Sequence, residues 1–183
     1  MRETGCTWMA PPRSTVTTCA GTMRENACIE AILREAIRRG RRTVALVERR
    51  DHLATLSRRL KEVRVRHAAV SGQTPVEERR EVLRLMSEGK LSLILATRVF
   101  GKGVDVPTLD CVVDATGLPS RNNALQRYGR GTRVVAGKEL IHVDIADRKS
   151  PFSGAADARL VALRETGSEI ETIVWNGDAS KIF

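Results

Sequence analysis

The chain has 183 residues, which is enough for one compact domain with a hydrophobic core. Charged residues make up 29% and apolar residues 42%, a balance typical of a globular protein and unlike that of a disordered chain. The net charge of +9 favours a polyanionic partner such as nucleic acid, whereas the 3% of aromatic residues argues against base stacking as the main mode of binding.

The apolar and cysteine patterns argue against a membrane protein and against a disulfide-stabilised one. The longest apolar runs, at 44–47 and 93–96, are far too short to cross a bilayer. The first six residues contain no apolar core of a signal peptide. No two cysteines form a CxxC pair; they are Cys6, Cys19, Cys28 and Cys111. This pattern favours reduced thiols in a cytoplasmic protein with no membrane partner.

The chain begins with a segment that has no hydrophobic period. Residues 1–23 include Pro-, Ser- and Thr-rich stretches and are predicted to form an irregular linker. The first helix is predicted to start with Asn26 as its N-cap and to end at Gly40. Its apolar residues follow one helical stripe; they are Ile29, Ile32, Leu33, Ala36 and Ile37.

Short apolar segments then alternate with helical patterns. The predicted strands cover 43–47, 67–70, 91–96, 111–115, 140–145 and 170–174. The predicted helices start near Asp51, at a capping box in residues 74–77 with Pro75 at the first helical position, at Ser120 and at Ala155. The alternation predicts an α/β fold in which helices flank a parallel sheet, formed as a single domain by residues 24–183.

Polar and charged residues directly follow four of the predicted strands. These segments are 48–50, 71–72, 97–98 and 116–117, and they include Arg49, Arg50, Gly72, Thr97 and Arg98. In parallel sheets the carboxyl ends of the strands share one edge, where ligands bind. We therefore expect these residues to lie along one functional edge.

The segment 96–107 has the composition of a phosphate-binding loop. Its glycines let backbone N–H groups approach a phosphate closely, and Thr97 adds a hydroxyl group. Asp105 could accept a hydrogen bond from a ribose hydroxyl or orient an arginine. Taken alone, the segment also fits a simple turn after a strand.

The segment 126–133 places two guanidinium groups three residues apart. On a helical turn Arg130 and Arg133 point the same way, which suits a phosphate whose charge grows during transfer. Taken alone, the pair also fits a solvated basic helix end.

Together these two segments resemble motifs V and VI of superfamily 2 helicases, which read roughly ATxxxxxGxD and QxxGRxxR in the second RecA-like lobe. The matching residues are Thr97, Gly103, Asp105, Gln126, Gly129, Arg130 and Arg133. Residues 70–79 resemble the segment that precedes motif V, although Ser71 replaces the usual His. Residues 44–53 and 143–147 look like motif IV and the strand after motif VI of phage-type DNA repair helicases. The resemblance spans about residues 24–170, so the first 23 residues would be an interlobe remnant.

The resemblance implies distinct roles for the matching residues. Arg130 and Arg133 would be the catalytic arginine fingers that reach the γ-phosphate of ATP. Three further residues would bind the nucleotide or couple its state to the nucleic-acid grip; they are Gly103, Asp105 and Gln126. Thr97 would contact the nucleic-acid backbone. Arg49, Arg50, Gly72 and Arg98 are further candidates for such contacts because they lie on the same predicted edge.

The ATP-holding half of such an enzyme is absent from this sequence. The chain contains neither GxxxxGK[ST] nor an Asp-Glu dipeptide for a DExx motif. The cofactors ATP and Mg²⁺ would therefore be held mainly by an N-terminal ATP-binding lobe, in the same chain or another. We expect this chain to be inactive as an ATPase in isolation.

The sequence thus predicts the second lobe of an ATP-dependent DNA helicase or translocase, acting on single-stranded DNA or a duplex junction. Its expected location is the cytoplasm, in the nucleoid or in a phage-infected cell. Two alternatives stay open. The chain could be a standalone basic nucleic-acid-binding module without ATPase activity, or the lobe of an RNA helicase, since DNA and RNA members share these motifs.

Overall fold

The computed structural model describes residues 14–19, 22–97, 109–117, 140–147, 153–165 and 169–183. The larger parts of both helicase-like motifs, at 98–108 and 118–139, lie outside this set. In the described part of the chain, no helix is both long and apolar enough to cross a membrane.

The described strands form one seven-stranded sheet in which every pairing is parallel. In chain order they are β1 (Ser14–Cys19), β2 (Thr43–Val47), β3 (Ala68–Val70), β4 (Leu93–Thr97), β5 (Cys111–Ala115), β6 (Ile141–Asp147) and β7 (Ile170–Val174). Their order across the sheet is β3-β4-β2-β5-β6-β1-β7. The described helices are α1 (Thr22–Arg38), α2 (Arg50–Glu62), α3 (Val76–Ser87) and α4 (Ser153–Arg164), and a 3₁₀ turn covers Ser180–Ile182.

Helices cover both faces of the sheet. Alternate residues of β2 point to opposite faces, so that Ala45 and Val47 pack with α1 and α2, whereas Val44 and Leu46 pack with α3. Helix α4 covers the same face as α3, farther along the sheet, at Ala146. Because both faces are covered, β2, β4 and β5 are buried at every position and are mostly apolar; their polar members are Thr43, Thr97 and Asp114.

The predicted α/β fold and parallel sheet are confirmed. Three predicted strands coincide with β2, β5 and β7, and the other three agree with β3, β4 and β6 to within two residues at each end. The predicted end of the first helix is also close, because α1 stops at Arg38 and Gly40 has a left-handed φ of 70°. The helix predicted from Ser120 lies outside the described residues.

The start of the chain differs from the prediction. Residues 14–19, predicted to be irregular, form β1 and pair with both β6 and β7. Helix α1 begins at Thr22, so Asn26 is a residue of the helix and not its N-cap. The Asn26 side-chain oxygen instead lies 2.7 Å from Nε2 of His52, a contact that joins α1 to α2. Burial lowers the pKa of His52, which favours the neutral ring.

The capping box predicted at residues 74–77 is also wrong. Pro75 is the N-cap of α3 and makes no side-chain capping bond. The Thr74 hydroxyl accepts a hydrogen bond from the backbone N–H of Ser71, at 3.0 Å, and so closes the preceding turn. The Thr74 hydroxyl therefore bonds to the preceding turn and does not cap α3.

Two of the four cysteines are free thiols within the core, Cys28 and Cys111. Burial raises the pKa of the Cys111 thiol to about 12, and the thiolate is therefore scarce at neutral pH. Cys111 begins β5 and packs as a small apolar side chain.

One buried ion pair ties α4 to the sheet. The Arg159 guanidinium donates to both carboxylate oxygens of Asp144, with Nε–Oδ2 2.8 Å and Nη2–Oδ1 2.9 Å, and also to the Ile145 carbonyl. Each side chain of the pair is 2% exposed. Burial disfavours the Arg159 charge, but the Asp144 hydrogen bonds outweigh this and raise the pKa of Arg159. A bidentate geometry of this kind is what compensates the desolvation of both charges.

We expect Arg159→Met to lower the free energy of unfolding by about 3–5 kcal/mol, because the buried Asp144 carboxylate loses the bidentate bonds of the guanidinium. Urea unfolding followed by circular dichroism measures the change. The double variant Arg159→Met/Asp144→Leu should recover much of the loss, since it removes both charges. Arg84→Met, which breaks an exposed ion pair with Glu81, is the control. Equal losses in the Arg159 and Arg84 variants would contradict the prediction.

Candidate nucleic-acid interface

The carboxyl ends of four neighbouring strands lie level with one another. In the sheet register Val47 of β2 stands beside both Thr97 of β4 and Ala115 of β5, and Val70 of β3 stands beside Ala96. The residues that follow these strands therefore leave the sheet along one edge. We call this edge, formed by residues 48–50, 71–72, 97 and 116–117, the carboxyl edge.

Arg49 and Arg50 are the exposed cations of this edge. Arg49 is the N-cap of α2, but its side chain makes no capping hydrogen bond. The Arg49 carbonyl accepts from the N–H of Leu53, at 3.0 Å, which leaves the first N–H groups of α2 directed towards the edge. The positive end of the helix dipole and the two guanidinium groups consequently act at the same place, and an anion there is favoured.

The Asp51 carboxylate offsets part of the positive charge of Arg49. Asp51 Oδ2 lies 3.2 Å from Arg49 Nη2, and both side chains are more than three-quarters exposed. An ion pair so open to water is weak and exchanges readily with other partners. It leaves Arg50 without a carboxylate partner among the described residues.

Gly72 lies in the turn that joins β3 to α3. Side-chain bonds hold this turn, since the backbone N–H of Gln73 donates to the Ser71 hydroxyl at 3.3 Å and Ser71 N–H donates to Thr74. Gly72 is exposed between these bonds, and the lack of a side chain lets another molecule approach its backbone. The turn is therefore both accessible and fixed in position.

Thr97 is the last residue of β4 and is only 6% exposed. It lies at the carboxyl edge as predicted, beside Val47. Its burial means that it offers much less surface to a ligand than Arg49 or Arg50 does.

The structure brings together four of the predicted site residues, namely Arg49, Arg50, Gly72 and Thr97. The others lie outside the described residues; they are Arg98, Gly103, Asp105, Gln126, Arg130 and Arg133. Their assignment to the nucleotide or to the nucleic acid stays a prediction.

No described group of three or more His, Cys, Asp or Glu side chains could hold a metal ion. The three histidines have no metal-ligand spacing, and two of them hydrogen-bond within the protein: His52 with Asn26, and His67 with Ser57. By its resemblance to the helicases, the chain is expected to leave Mg²⁺ mainly to the N-terminal lobe, and this stays a prediction.

Sequence reasoning missed two cations near this edge, Arg58 and Lys61 of α2. The signal was present in the helical spacing, because positions 50, 54, 57, 58 and 61 recur on one side of a helix. The apolar stripe of the same helix, at Leu53, Leu56 and Leu60, predicts its buried side, and cations on the other side of a helix also fit ordinary solvation.

Comparison with known proteins agrees with this geometry. Among curated proteins, the DNA 3'-5' translocase XPB2 of Sulfurisphaera tokodaii is 34% identical over 91 residues, which cover 50% of this chain and 19% of that protein. The ATP-dependent RNA helicase SrmB of Escherichia coli is 26% identical over 93 residues, 51% of this chain and 21% of that protein. The match thus spans about a fifth of the length of each relative.

Solved structures show the same fold at lower identity. The crystal structure of the E. coli DEAD-box protein SrmB superposes with a TM-score of 0.70 and 20% identity, over 90% of this chain and 92% of that one. The structure of T4 UvsW superposes with a TM-score of 0.73 and 14% identity, over 90% of this chain and 42% of that one.

The model of the helicase conserved C-terminal domain matches residues 25–135, more than half of the chain. The matched range includes most of α1, all of α2 and α3 and the four strands β2 to β5, as well as the segments that carry the two helicase-like motifs. Together with the parallel sheet and the shared fold, this match shows that the chain belongs to the helicase conserved C-terminal domain family, as the C-terminal RecA-like lobe of a superfamily 2 helicase.

Proposed function

We propose that this chain is the second lobe of an ATP-dependent DNA helicase or translocase and that its carboxyl edge binds the DNA backbone. The observation that carries the proposal is the level register of β2, β3 and β4, which aligns Arg49 and Arg50 with the exposed turn at Gly72. Guanidinium groups, helix N–H groups and an accessible glycine backbone are all donors for phosphate oxygens. None of them reads a base, so binding of this kind is independent of sequence.

The proposal divides the ATPase cycle between two lobes. The first lobe would hold ATP and Mg²⁺, since this sequence contains no GxxxxGK[ST] segment. Arg130 and Arg133 would complete the site from this side by stabilising the charge on the transferred phosphate. Gly103, Asp105 and Gln126 would link that event to the carboxyl edge, where Thr97 lies. Arg98, the next residue in the sequence, would add a cation to the backbone contact.

DNA is favoured over RNA by the segments that lie outside the shared motifs. Residues 44–53 and 143–147 look like those of phage-type DNA repair helicases, and the relative named as a DNA translocase is 34% identical. The relative SrmB is named as an RNA helicase, so an RNA substrate is the second candidate. The described edge offers cations and backbone groups, which either backbone can engage.

We expect the isolated chain to hydrolyse no ATP above background at saturating ATP and Mg²⁺, because it lacks the phosphate-cradling loop. In a two-lobed enzyme that carries this lobe, Arg130→Ala should lower kcat by about 10³-fold or more. A coupled phosphate-release assay measures both. Arg164→Ala, an exposed residue at the end of α4, is the control. Turnover that copurifies with the isolated chain and disappears in Arg130→Ala would falsify the two-lobe assignment.

We expect Arg49→Ala/Arg50→Ala to weaken binding of single-stranded DNA and to make it less sensitive to salt. Each lost phosphate contact on a single strand lowers the slope of log K against log salt by about 0.7, so the double variant should lose about 1.4. Fluorescence anisotropy with a labelled oligodeoxynucleotide, over a series of salt concentrations, measures the slope.

The control for this experiment is Arg164→Ala/Lys181→Ala, which removes the same charge from the opposite edge of the sheet. Helix α4 runs back from β6 to the start of β7, and Lys181 lies in the turn whose Ser180 carbonyl binds Arg39 at the end of α1. An equal loss of slope in both double variants would show that net charge alone, and not the carboxyl edge, governs binding.

Competition between unlabelled DNA and RNA of the same sequence tests the choice of substrate. We expect DNA to displace the labelled strand at a several-fold lower concentration than RNA does. The expected preference rests on the resemblance of residues 44–53 and 143–147 to DNA repair helicases, because the described edge offers only groups that either backbone can engage. Equal or better displacement by RNA would move the assignment to an RNA helicase lobe.

A further inference from the structure

A groove of about 570 Å³ lies beside the carboxyl edge, between α2 and the turn that follows β3. We call it the α2 groove. Seven polar or charged residues line it, and they are Arg50, Asp51, Ser57, Arg58, Lys61, Ser71 and Gln73. Its lining is thus shared between one helix and one fixed turn.

The cations of the groove recur on one side of α2. Arg50, Arg58 and Lys61 are separated by eight and three residues, which spreads them over about three turns on one side of the helix. The adjacent side of the helix holds the leucines that pack into the core, so that this row of charges cannot rotate away from the groove. The distance from Arg50 to Lys61 along the helix axis is about 16 Å, at about 1.5 Å per residue.

These three cations have no ion-pair partner among the described residues. Elsewhere on the surface, arginines form ion pairs with glutamates. Nη2 of Arg59, the neighbour of Arg58, lies 2.8 Å from Oε2 of Glu30. Nη2 of Arg38 lies 2.6 Å from Oε1 of Glu35. Asp51 is the one acidic residue in the described lining, and it pairs with Arg49. The α2 groove therefore has an uncompensated positive charge and attracts an anion.

The uncharged side chains of the groove are already held in place. His67 Nδ1 lies 2.8 Å from the Val65 carbonyl, which can only accept, so Nδ1 carries the proton. In the neutral ring Nε2 then accepts from the Ser57 hydroxyl, 2.8 Å away. The opposite wall is the turn closed by Ser71 and Thr74. These bonds fix the walls of the groove, so a ligand has to order only the three cations.

We propose that the α2 groove binds a second stretch of the DNA backbone, continuous with the stretch held at the carboxyl edge. This inference rests on the proposed function and extends it from the edge onto the outer side of α2. Arg50 belongs to both surfaces and so joins them into one continuous binding surface. The 16 Å between Arg50 and Lys61 corresponds to roughly five phosphates of a strand stacked as in a duplex, at a rise of about 3.4 Å.

The lining of this groove suits the sugar-phosphate backbone of a nucleic acid and not its bases. Its described lining contains no aromatic side chain on which a base could stack. Its donors are two guanidinium groups and one ammonium group, which bind phosphate oxygens without regard to sequence. An acidic protein segment is the competing occupant, and the following experiment separates it from DNA.

The test uses the whole chain with Arg58→Ala/Lys61→Ala, which leaves both edge arginines intact. For a long labelled oligodeoxynucleotide, we expect the slope of log K against log salt to fall by about 1.4, the value for two lost phosphate contacts. For an oligonucleotide shortened by about five nucleotides, so that it fills the edge alone, we expect the variant and the original chain to bind alike.

Three companion variants make the result specific. Arg58→Gln/Lys61→Gln removes the same charges with different side chains and should reproduce the lower slope. Arg58→Lys/Lys61→Arg keeps both charges and should retain the original slope, because phosphate contacts depend mainly on charge. Arg164→Ala/Lys181→Ala, at the opposite edge, should also retain it.

The outcomes separate the two proposals. Suppose that the original chain binds DNA and that the slope of log K against log salt falls in Arg49→Ala/Arg50→Ala but not in Arg58→Ala/Lys61→Ala. The α2 groove then does not bind the DNA backbone, and only this inference falls. The inference also falls if the loss is the same for the short and the long oligonucleotide. If the original chain shows no salt-dependent DNA binding at all, the proposed function falls and the inference falls with it.

Discussion

Val47 stands level with both Thr97 and Ala115 because β2 pairs in parallel with β4 on one side and with β5 on the other. The positions of the functional residues depend on this double register. A slip of one residue would turn every side chain of β2 to the opposite face and would place Arg49 about 3.3 Å out of line with its neighbours. Burial on both faces prevents such a slip, since α1 and α2 accept one set of side chains and α3 accepts the other.

The distribution of paired and unpaired cations distinguishes one surface of this basic protein from the rest. The net charge of +9 is a property of the sequence and does not say where an anion binds. In the structure, Glu30 and Glu35 hold arginines of α1 and α2 in ion pairs, and the hydrogen bonds from Arg38 and Arg39 lower the pKa of Glu35 to about 2. Arg58 and Lys61 have no such partners among the described residues, so the attraction for a phosphate is concentrated beside the carboxyl edge.

Sequence alone could predict the central part of the fold, because its signals are local. The buried strands β2 and β5 are short, mostly apolar segments of the kind that a doubly covered sheet accommodates, and their bounds agree with the predictions. Strand β1 has a Thr-rich sequence with a single valine, so the ladders with β6 and β7 that define it are not visible in its own residues. The capping box failed for a related reason: the Thr74 hydroxyl had a choice of partners and bonds to Ser71.

The candidate site shows the same division between local and tertiary information. Arg49, Arg50, Gly72 and Thr97 could be predicted as neighbours, because strand ends in a parallel sheet meet at one edge whatever the details of packing. The α2 groove could not, because its second wall comes from the turn after β3, far from Arg58 in the sequence. Arg50 connects the two surfaces, since it is the first residue of α2 and also part of the groove lining. A strand of nucleic acid that reached Arg50 from the edge would therefore meet the remaining charges of α2 in succession, without any rearrangement of the described backbone.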